Sequence, residues 1–419
     1  MLSSLASIFY LMLSTLLMMA GLGLMNYLVP IRSIAEGWSP LTISVIATGY
    51  TLGFTVSCII TPKLVARVGH VRVFSALVTL LTVSILLCSL LVEWHAWVLF
   101  RAIAGFAIAG SYLIIESWLN ERVNNENRGA LFSVYMITCL VGSIGGQYLV
   151  PLADPSTTVL FILCALIFSL AIFPTALSTA QSPAPIAQAR FDLMRLYRRS
   201  PVAFIGSLMS GALSGTWGSL GGVYTQNIGM NTAQGATLLA AVLAGGAISQ
   251  MPLGRLSDRV DRRLVMVMCS IFGVLACAVM AIFGGLGLTP IYIGGFFVGT
   301  VLYPVYALNV AHANDLAEPN EYVTISSAIM ILYGLGTVSG PLMAGTLMEW
   351  AGPNGLLWFL SAIFAIYGGY AGFRITRRSS AHGISGGKTG FQSMPLPLQG
   401  TDPAGAPNSA LNDGDGPRG

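Results

Sequence analysis

The chain has 419 residues; 55% are apolar, 9% are Asp, Glu, Lys or Arg, and the mean hydropathy is +0.76. Soluble proteins carry roughly 25% charge, so this composition excludes a water-soluble enzyme, a disordered chain and a secreted disulfide scaffold. The net charge of +4 is not a nucleic-acid signal, because the basic residues fall in short segments between long apolar runs.

Twelve runs are long enough to cross a bilayer core, which takes about 20 residues of helix. They span 7–29, 41–61, 73–92, 97–117, 130–150 and 157–177, then 202–227, 232–252, 265–287, 289–311, 323–346 and 355–374. None alternates with a period of two, so helices are predicted rather than a barrel. The first run is too long for a cleaved signal and has no positive charge before it. Cys58, Cys88, Cys139, Cys164, Cys269 and Cys277 all lie inside runs without metal-ligand spacing, and read as packing residues.

Lys and Arg fall on one side of the runs. Lys63, Arg67 and Arg72, then Arg122 and Arg128, then Arg190, Arg195, Arg198 and Arg199, then Arg255, Arg259, Arg262 and Arg263, and finally Arg374, Arg377 and Arg378 occupy alternate loops. The other loops hold Arg32 against Glu36, Glu93, Asp154 and Glu349. Positive charge is retained on the cytoplasmic side, so both termini are expected inside the cell. The predicted organisation is a six-helix half over 1–177, a basic amphipathic linker over 178–200, a second six-helix half over 201–375 and a disordered cytoplasmic tail over 376–419.

The halves repeat each other. PKLVARVGHVR at 62–72 corresponds to GRLSDRVDRRL at 254–264, 192 residues on. Asn120-Glu121 corresponds to Asn314-Asp315, and Gly142 and Gly146 correspond to Gly336 and Gly340, 194 residues on. Two parallel repeats joined by a linker form a layout found in secondary transporters.

At these residues the chain resembles the major facilitator superfamily. GRLSDRVDRR is similar to that family's loop motif, with Asp261 where its second Gly is usual. The first copy has Pro62 for the Gly and Ala66 for the Asp. Arg101-x-x-x-Gly105 resembles the family's fourth-span motif, and Gly336-TVS-Gly340-Pro341-LMA-Gly345 its Gly-Pro motif. ESWLNER at 116–122, AHAND at 311–315 and YGLGTVSGPLMAG at 333–345 are similar to the YcaD-like bacterial permeases. The resemblance implies an all-α membrane protein of twelve spans. It implies a transporter in the cytoplasmic (inner) membrane, a symporter or antiporter, rocking about a mid-membrane site. A small organic solute, and protons if transport is coupled, are the expected partners besides lipid. A monomer without cofactor or metal is expected. A receptor or scaffold that keeps the fold without transport is the alternative.

Charge inside a span is costly, about 2.5–3.5 kcal/mol at the bilayer centre on insertion scales. Arg101, Glu116 and His312 are therefore candidates for ion coupling. Arg101 either binds solute or tunes proton movement, or else snorkels to the interface that Trp94 and Trp97 mark. Glu116 is the one carboxylate within a run, fifteen residues or about 22 Å from Arg101. In the resembled fold spans one, four, seven and ten line the cavity, which makes Asn26, Tyr112, Trp217, Tyr224, Gln226, Tyr306 and Asn309 candidate solute ligands, with Gln147 and Gln250 in reserve. Asp258, Arg259, Arg262, Arg263, Gly340 and Pro341 are candidate gating residues. No phosphate-binding loop and no grouping of nucleophile and base occurs, so neither an ATP-driven pump nor an enzyme is predicted.

Overall fold

The structure, a computed structural model, describes residues 2–121, 128–176, 192–318 and 321–377. The 178–191 part of the linker, the tail from 378 and Arg122 lie outside these residues, as do the side chains of Asn120, Glu121 and Arg128. The first half comprises α1 (Leu2–Ala35), α2 (Pro40–Val68), α3 (His70–Leu90), α4 (Trp94–Glu121), α5 (Arg128–Gln147) and α6 (Val159–Ala176). The short α7 (Leu193–Arg199) leads into the second half: α8 (Pro201–Asn227), α9 (Thr232–Arg259), α10 (Arg262–Phe283), α11 (Leu288–Leu302), α12 (Pro304–Asp315), α13 (Tyr322–Ala351) and α14 (Gly355–Arg377).

Eleven helical segments of the described residues are long and apolar enough to span a membrane, α11 and α12 counting as one. The twelfth crossing is α8, 27 residues long but diluted by Ser207, Ser210, Ser214, Thr216 and Ser219. Such a helix tolerates its polarity because Ser207 and Ser210 return their hydroxyls to the helix's own carbonyls, those of Ala203 and Ser207. The run expected as one helix over 289–311 is broken at Tyr303, since Pro304 has no N–H to continue the ladder.

Capping fixes several of the turns. Ser39 accepts a hydrogen bond from the Thr42 amide with Pro40 at the first helical position, and Asn231 and Gln234 form a reciprocal capping box. Only Gly69 separates α2 from α3; its φ of +89° is one that residues with a Cβ rarely adopt.

The repeat is visible atom by atom. A Cβ on Gly142 would lie 2.8 Å from the Leu16 carbonyl oxygen, and one on Gly336 2.1 Å from that of Leu208, 192 residues further along. Gly146 meets the Ala20 oxygen and Gly340 that of Ala212 in the same relation, at 2.0 and 2.6 Å. Thus α1 packs on α5 as α8 packs on α13, with backbones closer than any side chain allows. Gly53 against Ala102 in α2/α4 and Gly245 against Phe296 in α9/α11 repeat the device. The two ends of the bundle differ in charge. One, the basic end, carries Lys63, Arg67, Arg72, Arg255 and Arg259; the opposite end carries Glu36, Glu93, Asp154 and Glu349.

Candidate functional site

A cavity of about 720 Å³ lies between the halves, within the range of sites for small organic ligands. It reaches from Pro30 and Ile43, near the acidic end, to Pro62 and Lys63 in the last two turns of α2 at the basic end. At the acidic end the halves are joined. Tyr27 donates to the Thr232 carbonyl at 2.8 Å, Ser44 to the Pro341 carbonyl at 2.8 Å, and Tyr148 pairs with Thr237 at 3.1 Å. The Leu41 amide donates to Glu349 at 3.2 Å. Gly345 permits this closure, since a Cβ there would meet the Ser44 hydroxyl at 2.6 Å.

Arg101 is buried in the cavity wall, 7% exposed, so it does not snorkel. One terminal nitrogen donates to Asn26 Oδ1 at 3.2 Å, and the guanidinium carbon sits 4.5 Å from the Tyr50 ring centroid, a cation–π contact. Its Nε and Nη1 have no hydrogen-bond partner among the described residues. Nor has Gln147 Oε1, buried in the same wall. Trp97, expected at an interface, is instead fully buried and donates to the carbonyls of Cys88 and Leu91.

Of the proposed solute ligands, Asn26 and Trp217 line the cavity, and the other five do not. Tyr112 is buried between α1 and α4 with its hydroxyl on Met19 Sδ. Asn309 donates to the Val305 carbonyl and accepts from Tyr367 at 3.0 Å inside the second half. Tyr306 packs edge-on against Tyr333, Gln226 donates to the Met230 carbonyl, and Tyr224 is buried. Tyr112, Tyr224, Tyr306 and Asn309 are rotated into their own halves, while Gln226 sits at the end of α8 beside Tyr27 of the first half. Glu116 and His312 are buried near the basic end outside the cavity wall, Glu116 within 3.5 Å of the Tyr135 hydroxyl.

The wall contains residues that sequence reasoning passed over. Ile43, Ala47, Tyr50, Phe54 and Cys58 form one stripe of α2, with Tyr333 and Thr337 facing from α13. The three- and four-residue spacing of the α2 stripe, with Thr51 and Thr55 beside it, was the available signal. Cys58 is thus a lining residue rather than packing alone.

Three of the gating candidates, Asp258, Arg262 and Arg263, take part in ion pairs at the basic end. Arg262, 1% exposed, pairs with Asp315 at 2.7 Å and with Asp258 at 3.1 Å, and donates to Ser257. Arg263 pairs with Asp261 at 2.7 Å and donates to the Arg374 carbonyl of α14. Arg259 is exposed. Outside the membrane segments, Arg199 pairs with Glu318 and Glu321, and Arg195 reaches Glu321, while Leu196 is buried against the second half. Glu318, hydrogen-bonded to it, raises the Arg199 pKa. Gly340 lies in the α8–α13 contact and Pro341 in the seal at the acidic end.

The family profile described as "Major Facilitator Superfamily" matches residues 11–331 and, again, 202–399. The chain belongs to the major facilitator superfamily. It is 25% identical over 366 residues to the MFS-type transporter YcaD of Escherichia coli O7:K1, covering 85% of this chain and 93% of that one. An MFS-type transporter of Enterobacter sp. (strain 638) is 25% identical over 356 residues, covering 84% and 91%. Both relatives are described as uncharacterized. The fold is also that of a variant of the nucleoside transporter NupG, with a TM-score of 0.78 at 12% identity over 88% of this chain and all of that one. A bacterial homologue of the human lysosomal transporter Spinster, inward-facing and occupied, gives 0.69 at 15% identity over 88% and 96%. The protein is a multi-pass membrane transporter, of a family of transporters rather than enzymes, with the bilayer as its solvent.

Proposed function

We propose that this major facilitator protein is a secondary active transporter that carries a small organic solute across the bacterial inner membrane by alternating access. The observation that carries this reading is the cavity, tied shut by cross-half hydrogen bonds at one end and extending to Lys63 at the other. The positive-inside rule assigns the basic end, and with it both termini, to the cytoplasm, so the conformation is inward-facing. Glu116 is the proton-responsive group if transport is coupled; Asp258 with the arginines of its loop, and Pro341 with Ser44, hold opposite gates.

The test is transport by purified protein in liposomes loaded with a mixture of small metabolites, with the contents followed by mass spectrometry. Selective loss of a solute in protein-containing vesicles alone is the expected result; contents indistinguishable from protein-free vesicles would contradict it. For a solute so found, Glu116→Gln is expected to flatten the pH profile while binding persists. A profile identical to the parent's removes Glu116 from the mechanism.

A further inference from the structure

We infer that the solute is an amphipathic organic anion whose carboxylate seats on Arg101, an assignment that rests on the transporter reading above. Among the described residues the charged groups lining the cavity are Arg101 and Lys63, both cationic; no carboxylate lines it. A buried charge is ordinarily paired. Arg101 has one nitrogen on Asn26 and its face on Tyr50, while Nε and Nη1 remain without a hydrogen-bond partner. Asn26 is neutral and holds the fork in place without cancelling its charge. A guanidinium with free N–H groups fits carboxylate geometry, and hydrogen bonds to an ionised acceptor are shorter and stronger than neutral ones.

The rest of the wall selects the remainder of the molecule. The second half lines the cavity with Trp217, Leu239, Leu243, Tyr303, Met330 and Ile331, interspersed with serine, threonine and tyrosine hydroxyls. An apolar or aromatic body fits there. Gln147, with an unpartnered Oε1 in the first-half wall, gives an acceptor for a donor elsewhere on the solute. Lys63 at the mouth is exposed in the last two turns of α2, where it steers an incoming anion without holding it. A cationic solute meets two like charges and no acid.

The inference is testable without a known substrate. In a Cys58→Ala background, Ser219→Cys places one thiol in the cavity wall. Its labelling rate is measured in detergent with a negatively charged and a positively charged methanethiosulfonate reagent. The anionic reagent is expected to react at least about tenfold faster relative to its rate with a free thiol, since a cleft of one sign concentrates counter-ions by that order or more. Arg101→Gln is expected to collapse most of that ratio. Arg101→Lys, which keeps the charge, is expected to retain it, and so guards against a folding defect. Lys63→Gln lowers the rate modestly and leaves the seat intact. Benzoate, phenylacetate and indole-3-acetate at millimolar concentration are then tested as protectants beside their amides. Slower labelling with at least one acid and none of the amides, lost in Arg101→Gln, is the expected result. Equal or faster labelling by the cationic reagent, a ratio unchanged in Arg101→Gln, or protection by the amides as good as by the acids overturns the inference. So does protection by none of the acids. Because labelling needs no flux, a cavity that selects anions in a protein that moves no solute would defeat the transport reading alone.

Discussion

The two halves pack their helices alike but finish their basic ends differently. In the second half Arg262 opens α10 and is buried against Asp315 of α12, with Asp258 and Ser257 on the same guanidinium. The residue 192 positions earlier is His70, which opens α3, is 2% exposed, and makes one neutral hydrogen bond of 3.3 Å to Ser117 of α4. Ala66 stands where Asp258 does, and Gly69 where Asp261 caps the helix. Strand-free repeats thus share geometry without sharing chemistry. Helix contacts set by glycine survive in both copies, while the charged clamp is kept in one, and the buried arginine facing the cavity is in the other.

The largest expected effect comes from breaking the second-half clamp. Arg262→Ala leaves Asp315, 5% exposed, without its buried partner, which costs roughly 3–5 kcal/mol. His70→Ala removes one hydrogen bond worth about 1 kcal/mol. Thermal unfolding of the two purified variants is expected to rank them in that order; equal midpoints would show that the halves are not held differently. Next come the glycines. Ala at Gly146 or at Gly340 forces α1 from α5, or α8 from α13, at a cost of about 1–3 kcal/mol. Gly146→Ala is expected to be the worse, because its Cβ would lie 2.0 Å from a carbonyl oxygen rather than 2.6 Å. The reverse ranking by the same melting experiment would mean that the second pair cannot relax.

Smaller effects concern the gates. Ser44→Ala removes a hydrogen bond across the acidic end, about 0.5–1.5 kcal/mol, and is expected to favour the conformation open there. Asp258→Asn is expected to weaken closure of the basic end, and Ala66→Asp to strengthen it, each by about 0.3–1 kcal/mol if the carboxylate acts on a helix N-terminus. Labelling of Ser219→Cys from the basic end reads all three: slower in Ser44→Ala and Ala66→Asp, faster in Asp258→Asn. Rates equal to the parent's in the two loop variants would leave that loop setting topology alone.

The fold was legible because its signals are periodic. Long apolar runs identify crossings, and Gly142 with Gly336, or Gly146 with Gly340, mark equivalent close approaches that depend only on the missing Cβ. The break at Tyr303 is signalled by Pro304, set inside an apolar run long enough to predict a single helix. The site was less legible, since successive residues on a helix turn by about 100°, and helix number alone does not say which side faces the cavity. Tyr112 and Asn309 have suitable chemistry and face their own halves; Tyr50 and Gln147 have similar chemistry and face the cavity. Arg101 was found because an arginine in an apolar run needs a reason wherever it points.

That arginine has an electrical consequence. Moving one elementary charge through the full membrane potential changes the energy by about 2.3 kcal/mol per 100 mV. In an alternating-access cycle the voltage drop shifts from one side of the cavity to the other, so a fixed charge in its wall feels the change without travelling. With the cavity empty, Arg101 and Asn26 present a net positive charge to that shift. In the proposed cycle a monoanion seated on Arg101 cancels it, so the return of the empty carrier is the step expected to sense voltage, with the loaded crossing nearly blind to it.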